Sequence, residues 1–337
     1  MADLPLPSFI QALLKPEAYP HPAPEITLVQ THISYVLLAG AFVYKIKKPV
    51  DFGFLDFTTL EKRRHFCEEE LILNRRLCPS LYLGLVAITR QDTAFSLDGP
   101  GTPVEYAVKM VRMPEERMMA RVIGQGGLSR EILDRLIAIL VPFYARAETG
   151  PGIAEFGTAQ AVSVNVLENF EQTKGFIGCP ALSQGQFETI SGYARNFLGQ
   201  EELFAARLAA GRVRDCHGDL YSANICLAEE IYIYDCIEFN QRFRYCDVAS
   251  DVAFLAMDLD FHGLPELSTY FIEQFCQAAG DTTLLPMLNF YKCYRAYVRG
   301  KIGLFTAHAP EVDPATAESC LAQAKKYFAL AQSYAAA

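Results

Sequence analysis

The densest set of chemically useful side chains lies in His217-Gly218-Asp219-Leu220-Tyr221-Ser222-Ala223-Asn224, with Asp235 following. A carboxylate can orient and deprotonate a hydroxyl, and an amide oxygen with a second carboxylate can hold Mg2+ on phosphates. Phosphoryl transfer from a nucleotide requires those three groups. Asp219 is therefore the candidate base, and Asn224 and Asp235 are the candidate metal ligands. Asp and Asn also favour turns through local hydrogen bonds, so the competing reading is that Asp219 and Asn224 only cap a turn.

The residues around this set must position it. Ile225 to Leu227 read as a strand, and Ile231-Tyr232-Ile233-Tyr234 as a second strand running into Asp235. Their apolar character predicts a buried hairpin whose ends hold the three polar side chains at one mouth. Upstream, residues 26–31, 35–38 and 41–50 are β-rich and joined by short connectors, which predicts antiparallel strands. Val43, Lys45 and Lys47 share one face of the third run. Nucleotide phosphotransferases use a strand lysine to contact the phosphates, so Lys45 is the candidate phosphate contact. Lys47 is the reserve, and Lys48 reads as a solvated edge lysine.

A helix is expected from Thr58 or Thr59 to about Leu77, ended by Pro79. One of its carboxylates should brace the strand lysine. Glu70 shares a side with Leu73, Asn74 and Leu77 and is the first choice, with Glu69 as the alternative. No glycine-rich loop precedes these strands. Thr31-His32-Ile33-Ser34 fills that turn, where backbone amides and the Thr31 and Ser34 hydroxyls could take its place.

Residues 81–89 and 104–111 add two strands, giving five strands and one helix before Arg112-Met113-Pro114 breaks the pattern. Helices are expected at 129–149, 184–208, 252–259, 265–279, 286–305 and 314–335. Residues 150–160 read as a flexible connector, and Asn165, Asn169 and Glu171 as a loop or capped turn. Asp247 or Asp251 is expected to cap the helix near 252 and to hydrogen-bond back to the catalytic loop. The expected fold is α+β and two-lobed. An antiparallel five-stranded N-lobe (1–112) carries the phosphate contacts, and a mainly helical C-lobe (113–337) carries the catalytic hairpin, metal site and acceptor site.

The 337 residues, 51% hydrophobic and 20% charged, are ample for a globular core. A formal net charge of −9 argues against a nucleic-acid binder and is compatible with cationic acceptors. No apolar segment approaches the length of a membrane span. Without a visible secretory leader, the ten cysteines are expected to be reduced thiols in a cytoplasmic protein. Cys226, Cys236 and Cys246 have no CxxC partner and read as core residues rather than metal ligands.

The His-Gly-Asp-x-x-x-x-Asn run with Asp235 ending a strand is similar to the protein-kinase catalytic loop and metal site. Gly218 in place of the kinase Arg, and Asp235-Cys236-Ile237-Glu238 in place of Asp-Phe-Gly, resemble the aminoglycoside phosphotransferase-like superfamily more closely. The string Tyr44-Lys45-Ile46-Lys47-Lys48-Pro49-Val50-Asp51-Phe52-Gly53-Phe54-Leu55-Asp56-Phe57 looks like an uncharacterised bacterial branch of it, often fused to a P-loop kinase domain. No Gly-x-x-x-x-Gly-Lys-Ser/Thr occurs here, so that second domain is expected to be missing.

The resemblance spans residues 25 to 330 and implies a base at Asp219, metal ligands at Asn224 and Asp235, and a phosphate contact at Lys45. It further implies ATP or GTP with Mg2+ as cofactors, and a small-molecule hydroxyl acceptor rather than a nucleic-acid or membrane partner. A protein Ser/Thr kinase is the alternative enzyme, disfavoured because no activation segment is evident between Asp235 and Asp251. A catalytically silent nucleotide-binding pseudokinase should lack Asp219, Asn224 or Asp235, and all three are present.

Overall fold

A computed structural model describes residues 6–310 and 312–337. These fall into two compact units, a sheet unit comprising the chain up to Arg121 with Asn224–Gln241, and a helical unit comprising Val122–Ala223 and Arg242–Ala337. Residues 224–241 lie within the expected 113–337 region but cluster with the sheet.

The sheet unit contains β1 (Ile26–Gln30), β2 (Ser34–Ala39), β3 (Phe42–Lys47), β4 (Tyr82–Gln91), β5 (Ala94–Leu97) and β6 (Thr102–Val111). Their order is β1-β2-β3-β6-β4-β5, with every neighbouring pair antiparallel. The β2–β3 turn is tight because Gly40 has φ +59°, and a Cβ there would lie 2.4 Å from the Pro22 carbonyl oxygen.

One strand more than the expected five is present. β5 is only four residues long and follows a turn with Asp92 at φ 53°. So short a run, beside the turn-rich residues 98–101, is hard to tell from a connector. The helix α1 (Ser8–Leu13) supplies Ile10 and Leu13 to the core on one side of the sheet, with Leu37, Tyr44, Ile46 and Ile88.

The helix α2 (Leu60–Asn74) is shorter at its C-terminal end than expected. The Thr59 side chain caps it by accepting from the Lys62 amide at 3.2 Å. Arg63 then fastens α2 to β6: its Nε lies 2.8 and 2.9 Å from the two Glu105 carboxylate oxygens, and both residues are buried. Cys67 and Leu71 of α2 pack with Val108 and Met110 of β6, so the inner face of the helix rests on the sheet.

The helix α3 (Met119–Gly124) leads into the helical unit, whose first elements are α4 (Arg130–Arg146), α5 (Pro151–Ala154) and α6 (Ala159–Thr173). The expected connector at 150–160 is thus mostly ordered. Pro151 opens one helical turn, and Thr158 caps the next helix by accepting from Ala161 N at 3.1 Å. The single helix expected at 184–208 is two, α7 (Gln184–Leu198) and α8 (Glu201–Ala209). Gly199 ends the first, and Glu201 and Glu202 in the first turn favour the start of the second.

The strand β7 (Val213–Asp215) follows α8. Back in the sheet unit, the hairpin β8 (Ile225–Leu227) and β9 (Ile231–Ile233) forms with the expected bounds to within a residue. The helix α9 (Gln241–Arg244) follows, and then β10 (Tyr245–Asp247), which pairs with β7.

The remaining helices are α10 (Val248–Phe261), α11 (Pro265–Ala279), α12 (Leu285–Ala307) and α13 (Pro314–Ala336). Residues 248 to 259 of α10 are all buried, so this helix forms the centre of its unit and needs no amphipathic stripe. Asp247 caps it through the Ala249 amide and also binds Arg207, which bridges to Asp281 at 2.6 Å. No helix among the described residues is long and apolar enough to cross a membrane, and none of the ten cysteines is in a disulfide.

Candidate active site

The candidate residues divide between the two units, and the sheet unit holds most of them. Strand alternation sends Lys45 and Lys47 to one face of β3, and α2 lies across that face. Lys45 Nζ sits 2.8 Å from Glu70 Oε1 and 2.5 Å from Asp235 Oδ1. Lys47 Nζ donates to Glu70 Oε2 at 2.8 Å and to Glu238. Glu70, fully buried, therefore gives one carboxylate oxygen to each lysine. Glu69 is not in this cluster. The choice between Lys45 and Lys47 becomes a shared arrangement, in which Lys45 meets the strand-terminal Asp235 and Lys47 meets Glu238 three residues on.

Burial and charge oppose each other here. Burial pushes the Glu70 carboxyl up, but Lys45 and Lys47 overcome it and hold the carboxyl down at about 2. Burial also dominates at Glu238 and leaves it raised, because it faces one near lysine and the negative charge of Glu70. Lys45 and Lys47 are disfavoured by burial as cations but held strongly protonated by these carboxylates.

The segment carrying Asp235 is fixed by the sheet unit itself. Its amide donates to the Tyr82 hydroxyl at 3.3 Å, and the Cys236 amide donates to Asn74 Oδ1 at 2.9 Å. Asp235 has φ 64°, a left-handed conformation that Asp and Asn tolerate better than most residues and that often marks functional positions. The hairpin register sets Asn224 beside Tyr234, whose amide donates to the Asn224 carbonyl at 3.0 Å. Asn224 and Asp235 thus flank the same end of the β8–β9 hairpin. One amide and one carboxylate are hard oxygen donors of the kind Mg2+ takes together with phosphate oxygens. The Asp235 side chain keeps 42% of its surface exposed, against 16% for Lys45, so it remains accessible to a cation. The residues present fit a nucleotide-bound Mg2+.

Asp219 lies in the helical unit, on a loop pinned by its backbone. Asp251 of α10 accepts from the His217 amide at 2.7 Å and the Gly218 amide at 2.8 Å, and from the Tyr144 hydroxyl at 3.1 Å. Of the two aspartates expected near this helix start, Asp251 meets the loop and Asp247 is the cap. His217 is buried, and its Nδ1 accepts from the Asp219 amide at 3.2 Å. Arg295 donates to the Gly218 carbonyl at 2.9 Å. The loop conformation is thereby set while the Asp219 side chain stays part-exposed.

Two expectations near the site change. The Thr31 hydroxyl is committed to its own turn, accepting from Ser34 N at 2.9 Å, while the Ser34 hydroxyl is buried without a hydrogen-bond partner among the described residues. Asn165, Asn169 and Glu171 lie on α6 rather than in a loop, with the Asn165 amide on the Arg242 carbonyl at 2.9 Å. Sequence reasoning missed the role of Glu238. Its only signal is a carboxylate three residues after Asp235, which has meaning only once a second buried lysine is found opposite it.

No family model matches the chain. Among curated proteins, it is similar to uncharacterized proteins of Mycobacterium tuberculosis (strains H37Rv and CDC 1551) and Mycobacterium bovis. The identity is 34% over 281 residues, covering 83% of this chain and 55% of each relative. The chain spans about half the length of these relatives.

Among solved structures, it is similar to the GDP and kanamycin complex of APH(2")-IIia, at 14% identity, with 95% of this chain and 99% of that one covered and a TM-score of 0.52. A choline/ethanolamine kinase family protein from Mesorhizobium loti matches at 12% identity, with 97% of each chain covered and a TM-score of 0.53. An amicoumacin kinase in complex with AMP-PNP, Ca2+ and Ami matches at 14% identity, with coverage of 95% and 91% and a TM-score of 0.53. The chain belongs to the family of these mycobacterial proteins, and with the antiparallel sheet, the helical unit and the β8–β9 hairpin already described it has the fold seen in aminoglycoside phosphotransferases and choline/ethanolamine kinase-like proteins.

Proposed function

We propose that this protein is a nucleotide- and Mg2+-dependent phosphotransferase acting on a hydroxyl group of a small-molecule acceptor. The observation that carries the reading is the Lys45 ammonium held between Glu70 at 2.8 Å and Asp235 at 2.5 Å. A part-buried lysine braced by a helix carboxylate and touching a metal-ligand candidate is the arrangement a triphosphate requires. The nucleotides and acceptors bound by the solved relatives support the reaction class without naming the acceptor here.

In this mechanism Lys45 binds phosphate oxygens, and Glu70 keeps its ammonium oriented and charged. Asn224 and Asp235 would hold Mg2+, which would supply charge neutralisation on the phosphates. Asp219 takes the acceptor's hydroxyl proton as the acceptor oxygen bonds to the γ-phosphorus and the bond to the β–γ bridging oxygen breaks. The products are the phosphorylated acceptor and a nucleoside diphosphate. Residues 1–112 supply phosphate contacts, and 113–337 the base, metal ligands and acceptor contacts. A cytoplasmic setting belongs to the same proposal and is supported by ten cysteines with no disulfide.

The test is thermal stabilisation by ATP and by GTP, with and without Mg2+, on wild type and Asp235→Asn. A metal-dependent rise in melting temperature that Asp235→Asn abolishes is expected. No shift with either nucleotide in the wild type would overturn the proposal.

A further inference from the structure

The helix α12 carries Lys292, Arg295, Arg299 and Lys301 and no carboxylate. Two of these cations are neutralised within the helical unit: Lys292 binds Asp260 at 2.8 Å, and Arg295 lies 3.9 Å from Asp251 while donating to the Gly218 carbonyl. Arg299 stands one helical turn beyond Arg295, on the same side of the helix. Its guanidinium lies 4.7 Å from the Tyr221 ring and 5.9 Å from the Tyr327 ring. Tyr221 is two residues after Asp219, so Arg299 sits against the catalytic loop itself.

Among the described residues, Arg299 has no carboxylate within ion-pair distance, and its Nε is buried with no hydrogen-bond partner. The carboxylates of α10 are engaged elsewhere. Asp251 holds the loop amides, Asp258 accepts from Ser222 N at 3.0 Å, and Asp260 binds Lys292 and Tyr334. Burial disfavours the Arg299 charge, while Tyr221, Tyr327 and the Asp219 carboxylate favour it, and the guanidinium also hydrogen-bonds Tyr327. A cation kept half-buried beside a catalytic base, and not paired with an acid, is prepared for an anion brought by a ligand.

Resting on the phosphotransferase reading, we infer that the hydroxyl acceptor carries an anionic group, a carboxylate or a phosphate, and that Arg299 binds it. The acceptor class is then hydroxycarboxylates or sugar phosphates, in contrast to the cationic acceptor that the overall charge of −9 would suit. The anion is held at Arg299 while the acceptor hydroxyl faces Asp219. The two aromatic rings restrict the guanidinium plane and so favour a planar, two-pronged contact.

The experiment is a steady-state transfer assay with ATP and Mg2+ on four probes: D-glycerate, glucose 6-phosphate, glycerol and kanamycin. It uses the full chain as wild type, Arg299→Gln and Arg299→Lys. The expected result is consumption of D-glycerate or glucose 6-phosphate in preference to the other two. Arg299→Gln should raise KM for the anionic probe about 10- to 100-fold, and Arg299→Lys should recover part of that loss. D-glycerate and glucose 6-phosphate separate a carboxylate from a phosphate preference.

Preferential consumption of glycerol or kanamycin would overturn the inference and leave the phosphotransferase reading intact. So would an unchanged KM for the anionic probe in Arg299→Gln, or transfer to none of the four by an enzyme that binds nucleotide. Failure of nucleotide binding in the thermal assay would instead remove the phosphotransferase reading, and this inference with it.

Discussion

Replacing Glu70 by Gln removes the one carboxylate shared by both lysines, while Glu238→Gln removes a carboxylate that burial already disfavours. The two substitutions are nearly isosteric and lie in the same cluster, so their difference isolates charge. The Glu70 carboxyl falls from 4.5 to about 2 in the folded chain. At about 1.36 kcal/mol per unit of pKa, its ionised form contributes on the order of 3 kcal/mol to stability. Because the folded pKa is depressed, that contribution is fully present above pH 4.5 and is lost as the pH falls toward 2. Glu238 has the opposite sign, since a raised folded pKa means that its contribution diminishes as the pH rises above 4.5.

Urea denaturation at pH 7 should therefore show Glu70→Gln destabilised by about 3 kcal/mol, the usual scale for breaking a buried pair. In Glu238→Gln the loss should be about 1 kcal/mol or less, because the amide oxygen still accepts from Lys47. Repeating the Glu70→Gln measurement between pH 5 and 2.5 should show a flatter acid limb than wild type. Equal losses in the two variants at pH 7, or an unchanged acid limb in Glu70→Gln, would refute the arrangement of one glutamate between two lysines.

Two further outcomes follow from the helical unit. Asp251→Asn keeps only one oxygen where the His217 and Gly218 amides now have two acceptors, at 2.7 and 2.8 Å. A loss of about 2–3 kcal/mol in urea denaturation is expected, with transfer rate falling more than nucleotide affinity, and unchanged stability would count against the pinned loop. Gly300→Ala would bring a Cβ to 2.8 Å from the buried Phe328 ring, where α12 meets α13. Despite the better helix propensity of Ala, calorimetry should show a lower melting temperature, corresponding to about 1–2 kcal/mol.

The candidate residues were legible where they rest on local pattern. Asp219, Asn224 and Asp235 announce themselves through spacing and through the apolar strands Ile225–Leu227 and Ile231–Ile233, because a two-residue period and a turn are encoded within a dozen positions. Strand parity and helix face narrowed the lysine to Lys45 or Lys47 and the carboxylate to Glu70 or Glu69, and the structure gives Glu70 to both lysines. The long helices Pro265–Ala279 and Pro314–Ala336 were equally plain, since Pro at the first position and sustained periodicity are local signals. The sequence by itself therefore determined the type of the long, strongly periodic elements and offered the candidate residues, while α6 (Ala159–Thr173) was read as a connector and a loop.

Only the tertiary structure decided how those residues share their charges. Lys47 and Glu238 are 191 positions apart, and nothing local distinguishes a buried lysine bridging two glutamates from a solvated one at a strand edge. The short β5, the break at Gly199 and the ordering of residues 150–160 were missed for a related reason. Few residues carry each signal, and packing overrides propensity in short segments. Asp251 rather than Asp247 reaches the loop at His217–Asp219 because the N-cap position consumes one carboxylate and the first helical turn aims the other at the His217 and Gly218 amides. Arg299 acquires significance only when the α10 carboxylates Asp251, Asp258 and Asp260 are seen to be engaged. Such partnerships depend on long-range contacts and on exclusion of water, which no stretch of sequence contains by itself.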